Sequence, residues 1–386
     1  MNKIAAKISL LIFGYVAVYC IFIGFTSTPQ EADSLSYHLP LANQLLKLQI
    51  FQIDYNKNPL FLYPAAGEII LALFQFFSLP LNLFNVLALV CLFGINYQLA
   101  KTIKLTQASG LIFAVSSCLL PVVLRIIPTQ KIDLWLSIFF LTSLLLLLQK
   151  PITKKNYFLL GLTLGLLSGS KYSGLALTLL LVVFYYQNWR QNLHLDKLII
   201  FLIPFILLGG FWYIRNYYLT GKAFFIPAYL FTAQFYKLII NQNQFWMNLL
   251  TAAISQLLLW SLSLLIIIFL LISNVLNPIT KKISGLALLA LSINFLLPIN
   301  PQETIHWFRF CILSFILFML VIFKEGERWR QINIVIILAL INQITALTLI
   351  DYRPKIIVGY SLLILSTFLI HLIAIKIPNA KPIKQK

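Results

Sequence analysis

The chain reads as an all-α, polytopic integral membrane protein of about twelve transmembrane helices, with an interfacial helix in its first outer loop. Three observations carry this reading. Of the 386 residues, 60% are hydrophobic and the mean hydropathy is +0.91. Only 10% are charged, against about 25% in soluble globular domains. The apolar residues also run in long unbroken stretches rather than short alternating segments, which favours helices over a barrel.

Taken in order, the apolar runs place helices at 8–25, 81–99, 108–126, 133–149, 157–170, 172–188, 198–214, 251–273, 283–299, 307–323, 331–350 and 356–375. The first is about as long as a bilayer requires and lacks a small-residue cleavage site, so it reads as a retained helix rather than a signal peptide. The stretch 65–80, "AAGEIILALFQFFSLP", carries Glu68 near its start and ends at Pro80. Too short and too interrupted to cross, it reads as an interfacial or re-entrant helix.

Charge sets the orientation. With Lys3 and Lys7 in the cytoplasm, every second loop is basic: Lys101 and Lys104; Lys150, Lys154 and Lys155; Arg190 and Lys197; Lys281 and Lys282; Lys324, Arg328 and Arg330; and the lysines from 376 onward. This is the positive-inside pattern. It predicts a multi-pass protein of the cell membrane with both termini cytoplasmic, and it accounts for the basic excess of 29 over 10 without nucleic acid. Glu31, Asp33, Asp54, Glu68 and Asp133 fall on the outer side.

Several classes of chemistry find no support. Cys20, Cys91, Cys118 and Cys311 lie inside spans with no CxxC or Cys/His spacing, and read as small packing residues. No phosphate loop, HExxH or nucleophile elbow occurs. No soluble domain or repeat stands out, so residues 1–386 read as one transmembrane domain with its function in the outer loops.

Those loops hold the ionisable residues worth weighing. "TSTPQEADSLSYHLPLANQLLKLQ" places Glu31, Asp33, Tyr37 and His38 just after the first helix. Asp133 opens the fourth helix, where it reads either as a solvated cap favoured by the helix dipole or as part of a site. His38 reads as a solvated loop histidine or as a ligand for a hydroxyl. Trp212, Tyr213, Tyr217 and Tyr218 fit an interfacial aromatic belt or a stacking surface.

In order along the chain stand Asp33-Ser34-Leu35-Ser36-Tyr37; Lys57-Asn58-Pro59-Leu60 with Tyr63-Pro64; "KIDLWLSIFF"; "GLLSGSKYSGLALTLL"; "GGFWYIRNYYLTGKAFFIP"; and "HWFRFCILSFILF". This series resembles the GT-C superfamily of membrane glycosyltransferases, the group of bacterial aminoarabinose transferases and protein O-mannosyltransferases. The resemblance covers about residues 8–323. Three departures go with it: Ser34 stands where a second acid often follows, Lys57 is one position early, and no large C-terminal soluble domain follows. The first weakens any case for a divalent metal, and no cofactor is firmly implied.

The resemblance implies transfer of a sugar from a polyprenyl-phosphate carrier to a lipid, glycan or protein acceptor at the outer face. It implies Asp33 as the base that takes the acceptor's proton, with Asp133 orienting a substrate. Lys57, Lys171, Arg215 and Arg309 are the expected phosphate ligands, and Tyr37, His38 and Glu31 the expected substrate contacts. Two rivals remain open: a transporter or flippase of lipid-linked sugars, and a non-catalytic cell-envelope assembly protein. Spans nearly free of charge argue against a permeation path, and the acid-rich first loop is more than a scaffold requires.

Overall fold

The structure is a computed structural model that describes residues 3–149, 153–190, 194–224, 276–295 and 308–327. The secondary structure of these residues is helical, with no strand. Among the described residues, three helices are long and apolar enough to cross a membrane: Ala6–Thr26, Leu81–Thr102 and Leu195–Thr220. At about 1.5 Å per residue, each reaches the roughly 30 Å of a hydrocarbon core. The runs expected at 251–273, 331–350 and 356–375 lie outside the described residues.

Helix α1, Lys3–Thr26, leads into the first loop. The stretch around Asp33 is not a coil: a π turn at Ser34–His38 runs straight into α2, Leu39–Leu46. A 3₁₀ turn at Pro59–Leu62 follows, then α3, Glu68–Phe76. With nine residues α3 extends about 13 Å, far short of a crossing, in keeping with the interfacial reading of 65–80. Beyond it come α4 (Phe84–Thr102), α5 (Gln107–Cys118), α6 (Pro121–Ile126), α7 (Asp133–Leu148), α8 (Lys154–Ser170) and α9 (Tyr172–Phe184). The series continues with α10 (Tyr186–Arg190), α11 (Leu195–Phe205), α12 (Phe211–Thr220), α13 (Pro278–Phe295) and α14 (Ile312–Gly326).

Two expected helices are broken. The run 108–126 divides at Leu119–Leu120, because Pro121 lacks an N–H and drives Leu120 to an extended ψ of 128°. The run 172–188 stops at Phe184, with Tyr185 outside the helical region before α10. Conversely, 198–214 extends to Thr220, the π turn at Ile206–Gly210 carrying the helix past Pro204.

Helix α7 is the centre of the bundle and packs on α4, α8, α9 and α14. Only Thr142, Leu145 and Leu148 escape full burial. A helix apolar all round is one enclosed on every side, and its enclosure is what carries Asp133 at its first turn into a buried place.

Helix α8 fixes the next neighbour through Gly161, Gly165 and Gly169, spaced every four residues on one face. A Cβ on them would stand 2.1 Å from the Phe201 oxygen, 2.9 Å from that of Pro204 and 2.1 Å from that of Leu208. Small residues at this spacing let two membrane helices touch backbone to backbone. Gly161→Ala should therefore destabilise the protein by at least about 1–3 kcal/mol. Gly94→Ala, where a Cβ meets nothing within 4 Å, should be neutral or stabilise by up to about 1 kcal/mol. Melting curves of both variants in detergent test the pair of opposite signs.

Candidate functional site

At one end of the bundle, six side chains from four parts of the chain alternate in charge. Lys131 Nζ lies 2.6 Å from Glu31 Oε1 and 3.2 Å from Asp33 Oδ2. Arg309 Nη1 donates to the same Asp33 oxygen at 2.9 Å, and its Nε stands 3.8 Å from Asp133 Oδ2. Lys171 Nζ closes the series on Asp133 Oδ1 at 2.5 Å. The order is Glu31, Lys131, Asp33, Arg309, Asp133, Lys171. Three carboxylates meet three cations, which is how partly buried charges become tolerable. The Phe310 ring lies under both Lys171 and Arg309, with its centroid 5.0 and 4.8 Å from their charged groups.

Local structure explains how the parts arrive. Asn85 on α4 donates its amide to the carbonyls of Ile126, Thr129 and Lys131, which shapes the tight turn ahead of α7. Ser34 ties that turn to the first loop: its hydroxyl accepts from the Gln130 N–H and donates to Glu31 Oε2. Gln130 in turn donates to Asn82 Oδ1, and Asn82 to Ser27 Oγ. Ser34 is thus a buried hydrogen-bond hub. The π turn it begins is the kind of local widening that re-aims side chains and recurs at functional sites.

Beneath the ion pairs lies a second couple. His38 Nδ1 and Glu68 Oε1 are 2.7 Å apart, with side chains 1% and 2% exposed. His38 is therefore a core residue rather than a solvated loop histidine. The Tyr37 ring meets its imidazole at a tilt of 36°, with centroids 3.9 Å apart. Burial, then the charges of Asp33, Asp133 and Glu68, push the Tyr37 phenol well above its ordinary value, so it stays a hydroxyl donor.

Two expected phosphate ligands stand apart from these pairs. Lys57 is 86% exposed and its ammonium pairs with Asp54 at 3.3 Å, three residues back on the same solvated turn. Arg215 is fully buried and pairs with none of the six. Its guanidinium donates to the carbonyls of Phe61 and Tyr63 and to Asn216 Oδ1, over the Trp212 ring. Asn216 donates to the Leu62 carbonyl at 2.6 Å. The Arg-Asn pair therefore clamps the Pro59–Leu62 turn onto α12. Tyr172, next to Lys171, donates to the same Leu62 carbonyl, so this clamp adjoins the ion-pair chain.

Lys131 is the member that sequence reasoning missed. A cation two residues ahead of a helix start is disfavoured by the helix dipole, and that misplacement inside "KIDLW" was the available signal. Glu68 was seen only as a mark of an interfacial helix. Among the described residues, no group of His, Cys, Asp and Glu side chains is arranged to hold a metal ion.

The cluster's electrostatics have a measurable consequence. Burial raises the Asp33 carboxyl, but Lys131 and Arg309 outweigh it and hold it below its ordinary value. Glu31 is likewise raised by burial and lowered further by Lys131 and the Ser34 N–H. A carboxylate with a depressed folded pKa contributes stability that is full above its unfolded value of about 4 and is lost as pH falls through the folded value. Melting temperature should fall on acidification below about pH 4, and Lys131→Met should flatten that fall. A profile identical in the variant would show that the pairing contributes nothing.

Compared with protein-family models, curated proteins and solved structures, the chain has no match.

Proposed function

We propose that the protein is a membrane glycosyltransferase of GT-C type, which moves a sugar from a polyprenyl-phosphate carrier to an acceptor at the outer face of the cell membrane. In this reading the chain crosses the membrane about twelve times with both termini cytoplasmic, following the alternation of basic loops. One observation carries the function: Arg309 joins Asp33 to Asp133 across 276 residues of sequence, in a cluster that Lys171 completes. Four of the segments that resemble the family thus contribute to one partly buried constellation of acids and cations.

The chemistry follows from these groups. The acceptor's oxygen or nitrogen attacks the anomeric carbon and gives its proton to Asp33, worth about 10² to 10⁴ in rate. The bond from that carbon to the phosphate oxygen breaks, and the lipid phosphate leaves with the electron pair. Arg309 and Lys171 match its charge, so no acid need protonate it. Attack and departure on opposite faces invert the anomeric centre, by analogy with inverting glycosidases. Asp133 holds the two cations between events. Lys57 and Arg215 take no part in this version; the first is a surface charge and the second a clamp.

The test is to incubate purified protein with radiolabelled polyprenyl-phosphate hexoses and a cell-envelope extract. Label passing into a product, and not doing so with Asp33→Asn, is the expected result. Label that crosses a reconstituted vesicle without entering any product would overturn the reading in favour of a transporter.

A further inference from the structure

Lys131 has no part in the reaction as written, although its ammonium touches the base. It is 7% exposed and stands just ahead of a helix start, where burial and the helix dipole both disfavour a cation. Its surroundings show what holds it there. Lys131 Nζ lies 2.6 Å from Glu31 Oε1 and 3.2 Å from Asp33 Oδ2, so Glu31 is its nearer counter-ion. The other Glu31 oxygen, Oε2, accepts from the Ser34 N–H at 2.9 Å and from the Ser34 hydroxyl at 3.0 Å. That hydroxyl accepts from the Gln130 N–H at 3.0 Å, and a peptide bond joins Gln130 to Lys131. Glu31, Ser34, Gln130 and Lys131 thus close a ring, with Asp33 against its ammonium corner. The Lys131 backbone is tied as well: its N–H donates to Thr129 Oγ1, and its carbonyl accepts from Asn85.

Arg309, the other cation on the same Asp33 oxygen, is held differently. Its Nη1 donates to Asp33 at 2.9 Å. Its Nε lies 3.8 Å from Asp133 Oδ2, too far for a hydrogen bond, and is buried without a hydrogen-bond partner among the described residues. A guanidinium so placed can exchange Asp33 for the oxygens of an arriving phosphate. Lys131 has no such freedom, because Glu31 already matches its charge and the ring fixes its position. When a phosphate takes Arg309, Asp33 therefore keeps one cation, and that cation stays in place.

We propose that Lys131 is the positioning residue for the base. Its ammonium holds Asp33 Oδ2 throughout the reaction and leaves Oδ1 to take the acceptor's proton. Without it the carboxylate turns about its side-chain bonds once Arg309 has left, and a misplacement of about 1 Å costs up to about 10² in rate. Arg309 and Lys171 serve the donor, whereas Lys131 serves Asp33. The proposal rests on the glycosyltransferase reading.

The experiment follows transfer from radiolabelled undecaprenyl-phosphate glucose, galactose and mannose into an envelope extract, from about pH 3 to 7. The same lipids are titrated into the purified full chain in detergent. Lys131→Met should lower turnover about tenfold, while donor affinity stays within about twofold, which also shows that the variant is folded. The groups that face Asp33 are Glu31 and Tyr37 on its own segment, Lys131 ahead of α7, and Arg309 ahead of α14 with Asp133 beyond it. Loss of the Lys131 charge from this set should move the acid limb of turnover up by about one pH unit, toward the ordinary carboxylate range. Lys131→Arg, which keeps the charge, should leave the limb in place and retain part of the turnover. Lys131→Gln gives the same readings should Lys131→Met not fold. Unchanged turnover, or slower turnover with the acid limb unmoved, would overturn the proposal. So would a loss of donor affinity as large as the loss of turnover, which would make Lys131 a donor ligand. A wild type that transfers label while Lys131→Met behaves like it refutes the positioning role alone, whereas a wild type that transfers none refutes the wider reading.

Discussion

Asp33→Asn should lower sugar transfer by about 10² to 10⁴, because it removes the proton acceptor while keeping nearly the same shape. The cations beside Asp33 hold its carboxyl below the ordinary value, so wild-type turnover should not decline with acid until below the usual carboxylate range. The residual activity of the variant should lack that acid limb. Glu31→Gln should be much milder, since Glu31 reaches the cluster only through Lys131 and Ser34. Rates against pH for the three proteins decide the matter. Small, equal losses from both substitutions would mean that neither carboxylate takes the proton.

Arg309→Met should be the most damaging change to a cation in the cluster. Among the described residues, it removes the cation that pairs with both Asp33 and Asp133 and leaves Asp133, 4% exposed, paired with Lys171. Breaking a fully buried pair costs about 3–5 kcal/mol. Asp33 is 37% exposed, so solvent screens its share and a loss of about 1–3 kcal/mol is expected. Donor affinity and turnover should fall together, because the phosphate charge is present before transfer and grows during it. Lys57→Ala should change neither by more than about twofold, as its ammonium stands in solvent. Melting curves and donor titrations separate the two effects. A loss of stability with unchanged donor affinity would make Arg309 purely structural.

Much of the architecture could be read from apolar length alone. Helix α7 and the end of α8 were legible, because an uninterrupted run such as "LWLSIFFLTSLLLLL" has no other way to satisfy its backbone away from water. The break ahead of Pro121 had its signal in the proline itself. Asp33, Asp133, Lys171 and Arg309 were legible as candidate site charges, but not their pairing. Arg309 and Asp33 lie 276 positions apart, and hydropathy says nothing about which cation meets which carboxylate. The same blindness placed Lys57 among the phosphate ligands and passed over Lys131. The burial of Arg215 and His38 was not legible for a related reason. A charge near a predicted helix end reads as wet, whereas here backbone carbonyls in one case and Glu68 in the other take the place of water.

The central claim is that Arg309, now held by Asp33 and Asp133, receives the lipid phosphate together with Lys171. Titration of undecaprenyl phosphate into wild-type protein and Asp33→Asn measures it directly. Removal of the competing carboxylate frees Arg309, so the variant should bind the phosphate several-fold tighter, by roughly 1 kcal/mol, although it transfers sugar about 10² to 10⁴ times more slowly. Affinity that is unchanged or weaker in Asp33→Asn would contradict the account.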